Sequence, residues 1–179
     1  LLLRLGRAEE AALELDRTLQ EQPDNWDALY GRARLLLAQE RWDEAKALLA
    51  RGAKRRGVAD GEDKYHFGLA LYHFGTGDLN EAEKEALLAF HLDPGDPERP
   101  LLVGRVYERR GTPALAIPAF EQALAAPDAA ASAPLLHQLG RLYEQQKSYN
   151  EARDRYLAAT AADSTYAPAM RDLADLLRR

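Results

Sequence analysis

The sequence predicts an all-α repeat fold, and three observations support that prediction. An alanine near the start of a helical stretch recurs at intervals of 34 to 37 residues, at Ala11, Ala45, Ala82, Ala116 and Ala152. Each interval contains two amphipathic stretches, which is typical of a helix–turn–helix repeat. The composition is 46% hydrophobic and 30% charged, and it is rich in alanine, leucine, glutamate and arginine, which favour helices.

These landmarks divide the 179 residues into one array of helix pairs. The predicted boundaries are 1–25 for a partial repeat, 26–62, 63–96, 97–132 and 133–166 for four full repeats, and 167–179 for a final helix. Leu1–Leu3 resembles the end of a first helix whose start is missing, so we expect the chain to be a fragment of a longer protein.

The third full repeat shows how local residue types specify two helices. Apolar spacing predicts a first helix over 97–110. Thr112 is expected to cap the second helix, with Pro113 at its first position, and this helix is expected to continue to about Ala126. Pro118 lies inside that helix and has no backbone donor, so we expect a local kink or a late helix start there.

Small residues recur twelve positions before the last four landmark alanines, at Ala33, Ala70, Gly104 and Gly140. Helix axes approach to about 8–10 Å only where the side chains between them are small. Bulky aromatic residues such as Phe120 and Tyr156 are expected to fill the adjoining space, so a larger side chain at Gly104 should be excluded by overpacking.

With these landmarks the chain resembles the tetratricopeptide-repeat family. The resemblance rests on small residues at the eighth and twentieth positions of each repeat, aromatic residues near the eleventh and twenty-fourth, and proline near the thirty-second. It is clearest in Asp63–Asp96, which ends in "HLDPGD", and in Ala133–Tyr166, with "LHQLGRLYEQQKSYNEARDRYLAA". It covers essentially the whole chain and implies a right-handed α-solenoid of antiparallel helix pairs.

The resemblance also implies that the first helix of each repeat lines a concave groove. The candidate peptide-binding residues carried over in this way are Tyr30, Arg34, Lys64, Phe67, Leu71, Phe74, Leu102, Arg105, Arg109, His137 and Arg141. Phe67, Phe74 and Leu102 would supply apolar contacts. The arginines at the ninth positions would form a basic row suited to carboxylates or backbone carbonyls of an extended peptide.

An alternative remains open for these positions. The apolar side chains would pack on the next repeat, and the arginines would pair with Glu108 and Glu144. Charged residues such as Glu81 and Glu85 are expected on exposed helix faces, where they support solvation and local pairing.

Several function classes are excluded or disfavoured. The chain has no cysteine, so disulfides and thiolate metal sites are excluded. It has no recognised catalytic motif and no paired general acid and base, so we predict no enzyme activity and no cofactor. His66 and His73 lie seven residues apart. A metal pair there, with Asp63, is an alternative to ordinary packing, but metal sites on a helix usually use a spacing of four.

Charge argues against nucleic acid as a partner. The net charge is −5, whereas binding the phosphate backbone needs clustered positive charge. The one basic run, Lys54-Arg55-Arg56, is followed by the acidic residues Asp60, Glu62 and Asp63, which favours a solvated loop over an anion-binding patch.

No apolar run approaches the ~20 residues of a transmembrane helix, so we expect no direct membrane insertion. The absence of cysteine suits the cytoplasm and the periplasm alike. The final helix keeps an apolar stripe at Met170, Leu173, Leu176 and Leu177. Because soluble arrays normally end in a polar face, the stripe predicts a continuation of the array, a partner subunit or self-association.

The main hypothesis from the sequence is a non-catalytic protein-interaction scaffold that binds a peptide or partner helix in its groove. Two alternatives remain open. One is a structural or self-assembling segment of a larger multi-repeat protein, and the other is an accessory domain of an enzyme whose catalytic part lies elsewhere.

Overall fold

A computed structural model describes residues 7–55, 61–126 and 132–178, except for the side chains of residues 54 and 55. Within these residues the chain forms ten helices and no strands. They are α1 (Ala8–Glu21), α2 (Trp26–Ala38), α3 (Trp42–Arg55), α4 (Glu62–Thr76), α5 (Leu79–Leu92), α6 (Glu98–Arg109), α7 (Pro113–Ala125), α8 (Ala133–Gln145), α9 (Tyr149–Ala162) and α10 (Ala167–Leu177). The predicted all-α repeat fold is therefore confirmed. The helix end expected at Leu1–Leu3 lies outside the described residues.

Even-numbered helices are the first helices of the repeats, and odd-numbered helices are the second helices. The first helices α2, α4, α6 and α8 begin at Trp26, Glu62, Glu98 and Ala133, and the division of the chain into repeats stays a prediction. Because only two or three residues separate the two helices of a full repeat, the chain reverses direction between them and the pair packs side by side.

The helices group into two compact units, residues 1–93 and 94–179. In the first unit, α2 packs with α3 and α4 with α5, while α1 contacts α2 and the first helices α2 and α4 also touch. In the second unit, α6 packs with α7 and α8 with α9, and α10 contacts both α9 and α8. A single continuous array of the two units stays a prediction.

Two local expectations for the third full repeat are wrong. Thr112 stands at the N-cap of α7, yet its side chain does not cap that helix. Its hydroxyl donates instead to the carbonyl of Tyr107 at 2.9 Å, back in α6. The late helix start is also wrong, since α7 begins at Pro113 and includes Pro118, whose ring is exposed.

The recurring small residues lie where the helices of a pair meet, as predicted. Gly104 and Gly140 are buried. A β-carbon at Gly104 would lie 2.6 Å from Cδ1 of Phe120, and one at Gly140 would lie 2.4 Å from Cδ1 of Tyr156. The aromatic rings therefore occupy the space that a larger residue would need, which confirms the predicted packing of small against large residues.

Candidate functional site

In the first unit, the candidate residues lie on the adjoining helices α2 and α4. The guanidinium of Arg34 stands over two rings, with Cζ 5.9 Å from the centroid of Tyr30 and 5.8 Å from that of Phe67. Both rings are buried. At these distances the two rings hold the half-buried arginine by cation–π attraction.

Lys64 also makes an internal contact. Its Nζ lies 2.8 Å from Oδ1 of Asp27, which links α4 to α2 through an ion pair. Leu71 and Phe74 follow on α4 and are half-buried. This part of the surface is therefore mostly apolar, and the charge of Lys64 is locally compensated.

In the second unit, the candidate cations that are exposed are Arg105 and Arg109 on α6 and Arg141 on α8. Among the residues that the structure describes, no carboxylate lies within 4.0 Å of the side-chain nitrogens of Arg105 or Arg141. In the described part of the chain, these two arginines therefore do not form the ion pairs with Glu108 and Glu144 that the alternative predicted. Glu108 accepts from the amide of Gln138, and Glu144 accepts from the hydroxyl of Tyr156 at 2.9 Å.

Arg141 borders a shallow cleft of about 270 Å³ on the second unit. The cleft is lined by Arg141, Glu144, Gln145, Tyr149 and Asp172. Each of its two carboxylates is hydrogen-bonded to a buried side chain, Glu144 to Tyr156 and Asp172 to His137. The cleft thus presents one arginine and two oriented carboxylates to solvent.

Asp172 was not among the candidates from the sequence. Its Oδ2 lies 2.8 Å from Nε2 of His137, a buried residue whose ring packs against those of Tyr156 and Tyr166. Burial raises the pKa of Asp172, but its hydrogen bonds with His137 and Arg171 outweigh burial and leave that pKa below the ordinary value. Its sequence signal is position, because Asp172 is the sixth residue of α10 and the sixth residue of α8, Gln138, directly follows the candidate His137.

Four of the candidates are revised by their burial. Tyr30, Phe67, Leu102 and His137 are all under 9% exposed. Side chains that lie in the interior stabilise the fold and leave little surface for a ligand, so we no longer assign them direct peptide contacts. The remaining surface candidates are Arg34, Lys64, Leu71, Phe74, Arg105, Arg109 and Arg141.

The two histidines on α4, His66 and His73, each lie near a carboxylate of this chain. Nδ1 of His66 lies 2.5 Å from Oε2 of Glu85 on α5, and Nδ1 of His73 lies 3.9 Å from Oδ2 of Asp78. Glu85 is buried, so its expected exposure was wrong. Within the described part of the chain, no group of three histidine, aspartate or glutamate side chains could hold a metal ion. These contacts favour packing over a metal pair.

Two further expectations from the sequence concern the basic run and insertion into a membrane. The basic run 54–56 lies outside the residues whose side chains are described. Among the described helices, none combines the length and apolar character needed to cross a membrane.

The Tyr156 hydroxyl predicts that alkaline pH destabilises the second unit. Burial raises the pKa of Tyr156, and its hydrogen bond to Glu144 raises that pKa further. The folded state therefore favours the neutral phenol. The resulting stability is present below the unfolded pKa of about 10 and is lost as the pH rises above it. We expect the free energy of unfolding, measured by urea titration, to fall from about pH 9 to about pH 11.

The matched variant for this prediction is Tyr156→Phe, which keeps the ring and removes the titrating group. It should be less stable than the parent at neutral pH but should lose less stability on going to alkaline pH. Tyr143, whose pKa is also raised by burial and by its bond to Glu121, accounts for part of the remaining loss. An unchanged alkaline slope in Tyr156→Phe would contradict the assignment.

Family models and solved structures that resemble this chain both point to the tetratricopeptide-repeat family. Two family models, both described as tetratricopeptide repeat, match residues 2–60 and 133–166. A crystal structure of a thermophilic tetratricopeptide-repeat protein from Thermus thermophilus is 25% identical over 99% of this chain and 94% of that chain, with a TM-score of 0.71. A sequence search of curated proteins found no match.

Two other solved structures share the fold at lower identity. In the APC/C hetero-tetramer Cut9-Hcn1, a chain is 19% identical with a TM-score of 0.77, covering 98% of this chain and 34% of that chain. YrrB, described as a tetratricopeptide-repeat protein with an unusual peptide-binding site, is 18% identical with a TM-score of 0.64, covering 96% and 86%.

Proposed function

Because the chain belongs to the tetratricopeptide-repeat family, we propose that it is a non-catalytic scaffold that binds a peptide or partner helix on its first-helix surface. Each unit has its own first-helix surface, which consists of the outward side chains of its even-numbered helices. A protein-interaction role follows from the family in general, while the use of this particular surface is our proposal. YrrB, which shares the fold, has a peptide-binding site according to its description, and this supports a ligand of the same kind.

The observation that carries the proposal is the state of Arg105 and Arg141. They occupy the same repeat position on successive first helices of one unit, both are exposed, and neither has a described carboxylate in ion-pair range. Here Glu108 and Glu144 are hydrogen-bonded to Gln138 and Tyr156, so the guanidinium groups remain accessible to a ligand.

This arrangement favours a ligand with acidic side chains or accessible carbonyls. A guanidinium group binds a carboxylate through two parallel hydrogen bonds, which gives direction as well as affinity. The rest of the chain is acidic, with a net charge of −5. An acidic peptide would therefore be repelled by most of the surface and attracted at the arginines, and its affinity should fall as salt is added.

The test compares the parent with the Arg105→Glu/Arg141→Glu variant. Proteins captured from a lysate by the immobilised chain are identified by mass spectrometry, and a labelled peptide from the captured segment is titrated by fluorescence anisotropy. The variant should bind that peptide about tenfold or more weakly, because each charge-assisted hydrogen bond contributes about 1.5–3 kcal/mol.

The control is Lys147→Glu/Arg153→Glu, which makes the same change of net charge elsewhere in the second unit. Both of these cations are exposed, one in the turn before α9 and the other on α9. Equal weakening by the two double variants would mean that only net charge matters. Unchanged affinity and salt dependence in Arg105→Glu/Arg141→Glu would move the binding site away from the first-helix surface.

A further inference from the structure

We propose that the cleft beside Arg141 binds a basic side chain of the ligand, so that the bound peptide carries lysine or arginine close to its acidic residues. This rests on the proposed function, because the cleft belongs to the first-helix surface of the second unit, and it adds a second charge requirement for the same ligand. Three features of the cleft support it: its composition, the fixed positions of its two carboxylates, and the separation of its opposite charges.

The cleft is lined by residues from two first helices of one unit. Arg141, Glu144 and Gln145 come from α8, Asp172 comes from α10, and Tyr149 at the start of α9 completes the lining. Its volume of about 270 Å³ lies below the roughly 300–1,000 Å³ of pockets that enclose a drug-sized molecule. The cleft therefore suits a single side chain of a peptide better than a whole small-molecule ligand.

Buried side chains hold both carboxylates of the cleft in place. The hydroxyl of Tyr156 donates to Oε2 of Glu144 at 2.9 Å, and Oδ2 of Asp172 lies 2.8 Å from Nε2 of His137. The pKa of Asp172 lies below its ordinary value because its hydrogen bonds outweigh burial, so this group is ionised at neutral pH. Carboxylates that are already oriented lose little further entropy when a cation binds to them.

The cation and the two anions of the cleft are not paired with each other. In the part of the chain that the structure describes, no carboxylate oxygen lies within 4.0 Å of the side-chain nitrogens of Arg141. Nε of Arg171 does lie 3.3 Å from Oδ1 of Asp172, but the Arg171 side chain is 72% exposed, and such a pair contributes little. A ligand that carries both signs of charge can therefore contact Arg141 and the carboxylates at once.

A basic side chain fits the two carboxylates better than a metal ion does. Calcium and magnesium take six or more oxygen ligands, and no described group of three histidine, aspartate or glutamate side chains could hold a metal. An ammonium or guanidinium group needs only a few acceptors. The half-exposed ring of Tyr149 adds an aromatic surface that attracts such a cation, while Arg141 binds an acidic neighbour on the same peptide.

The experiment measures three short, end-capped peptides by fluorescence anisotropy. One alternates glutamate with lysine, one alternates glutamate with glutamine, and one alternates glutamine with lysine, so that the charges reach the cleft whichever way the peptide runs. Net charge alone predicts that the glutamine–lysine peptide binds best, because the protein carries −5. A cleft that uses both charges predicts that the glutamate–lysine peptide binds best, by about fivefold over either of the others.

Asp172→Asn keeps the shape of the side chain and removes its charge. This variant should bind the glutamate–lysine peptide about fivefold more weakly and should not weaken binding of the glutamate–glutamine peptide. The matched control is Asp154→Asn on α9, whose side chain is 66% exposed and lies outside the cleft, and it should change neither affinity. Circular dichroism and urea unfolding check that the variants are folded.

Tyr149→Leu is a second variant that does not disturb the contact between His137 and Asp172. Because Tyr149 is 49% exposed, the chain should fold normally without its ring. Loss of the aromatic surface should weaken binding of the glutamate–lysine peptide about twofold to fivefold and leave that of the glutamate–glutamine peptide unchanged.

The peptides separate failure of this inference from failure of the proposed function. A glutamate–lysine peptide that binds no better than the glutamate–glutamine peptide would overturn the basic side chain in the cleft, even where Arg105→Glu/Arg141→Glu weakens both peptides as the proposed function requires. Equal weakening by Asp172→Asn and Asp154→Asn would overturn it too, because only net charge would then matter. If none of the three peptides binds, this inference fails, while the proposed function is decided by the peptide captured from the lysate.

Discussion

Replacing Gly140 with alanine is expected to destabilise the second unit by about 1–3 kcal/mol, the usual range for an overpacked core. The new β-carbon would lie 2.4 Å from both Cδ1 and Cε1 of Tyr156. That ring cannot easily move, because it is fully buried and its hydroxyl donates to Glu144 at 2.9 Å. The steric cost should exceed the helix-propensity gain of about 1 kcal/mol that alanine brings over glycine.

The control for this prediction is Gly31→Ala in α2. It brings the same gain in helix propensity, but the atoms nearest to its β-carbon would be those of the Leu15 side chain, with the δ-carbons at 3.0 and 3.2 Å. The end of a leucine side chain can shift, so this variant should be neutral or slightly stabilised. Urea unfolding followed by circular dichroism measures both variants.

A third variant tests the cause directly. Removing the ring in Gly140→Ala/Tyr156→Leu should make the alanine less costly than it is beside tyrosine, and a double-mutant cycle measures the difference. If Gly140→Ala is as stable as the parent, the close approach of α8 and α9 does not depend on glycine.

The repeat landmarks could be predicted from the sequence because they depend on local spacing and on the same helix packing in every repeat. Gly104 and Phe120 show this, since one leaves the space that the other fills. The positions of helix starts such as Trp26 and Ala133 follow from the same period.

Side-chain exposure and polar contacts on the first-helix surface could not be predicted in this way. Phe67 and Arg105 both occupy positions that line the groove in the family, but one is buried and the other is exposed. Exposure depends on neighbours that are distant in sequence, as in the contact between His137 and Asp172, which are 35 residues apart. The hydroxyl of Thr112 likewise donates to the carbonyl of Tyr107 and makes no capping contact, a difference that spacing alone does not decide.

The contact between Glu85 and His66 leads to the second large expected effect. Because the two side chains lie 2.5 Å apart and are only 11% and 15% exposed, Glu85→Ala leaves the imidazole of His66 without its close partner. The only other carboxylate near the ring in the described structure is that of Glu62, 3.7 Å from Nε2. We expect the first unit to lose about 2–3 kcal/mol in urea unfolding, from the unsatisfied polar group and the lost packing.

The double variant His66→Leu/Glu85→Leu distinguishes a required contact from a replaceable one. Exchanging both partners of a buried polar pair for apolar residues of similar size is often neutral or stabilising, whereas removing one partner is costly. The double variant should therefore be more stable than Glu85→Ala and close to the parent. If it is as unstable as Glu85→Ala, this pair does more than satisfy its own hydrogen bond, and α4 and α5 need it to pack correctly. If Glu85→Ala costs nothing, water replaces the carboxylate at His66, and the pair does not hold the two helices together.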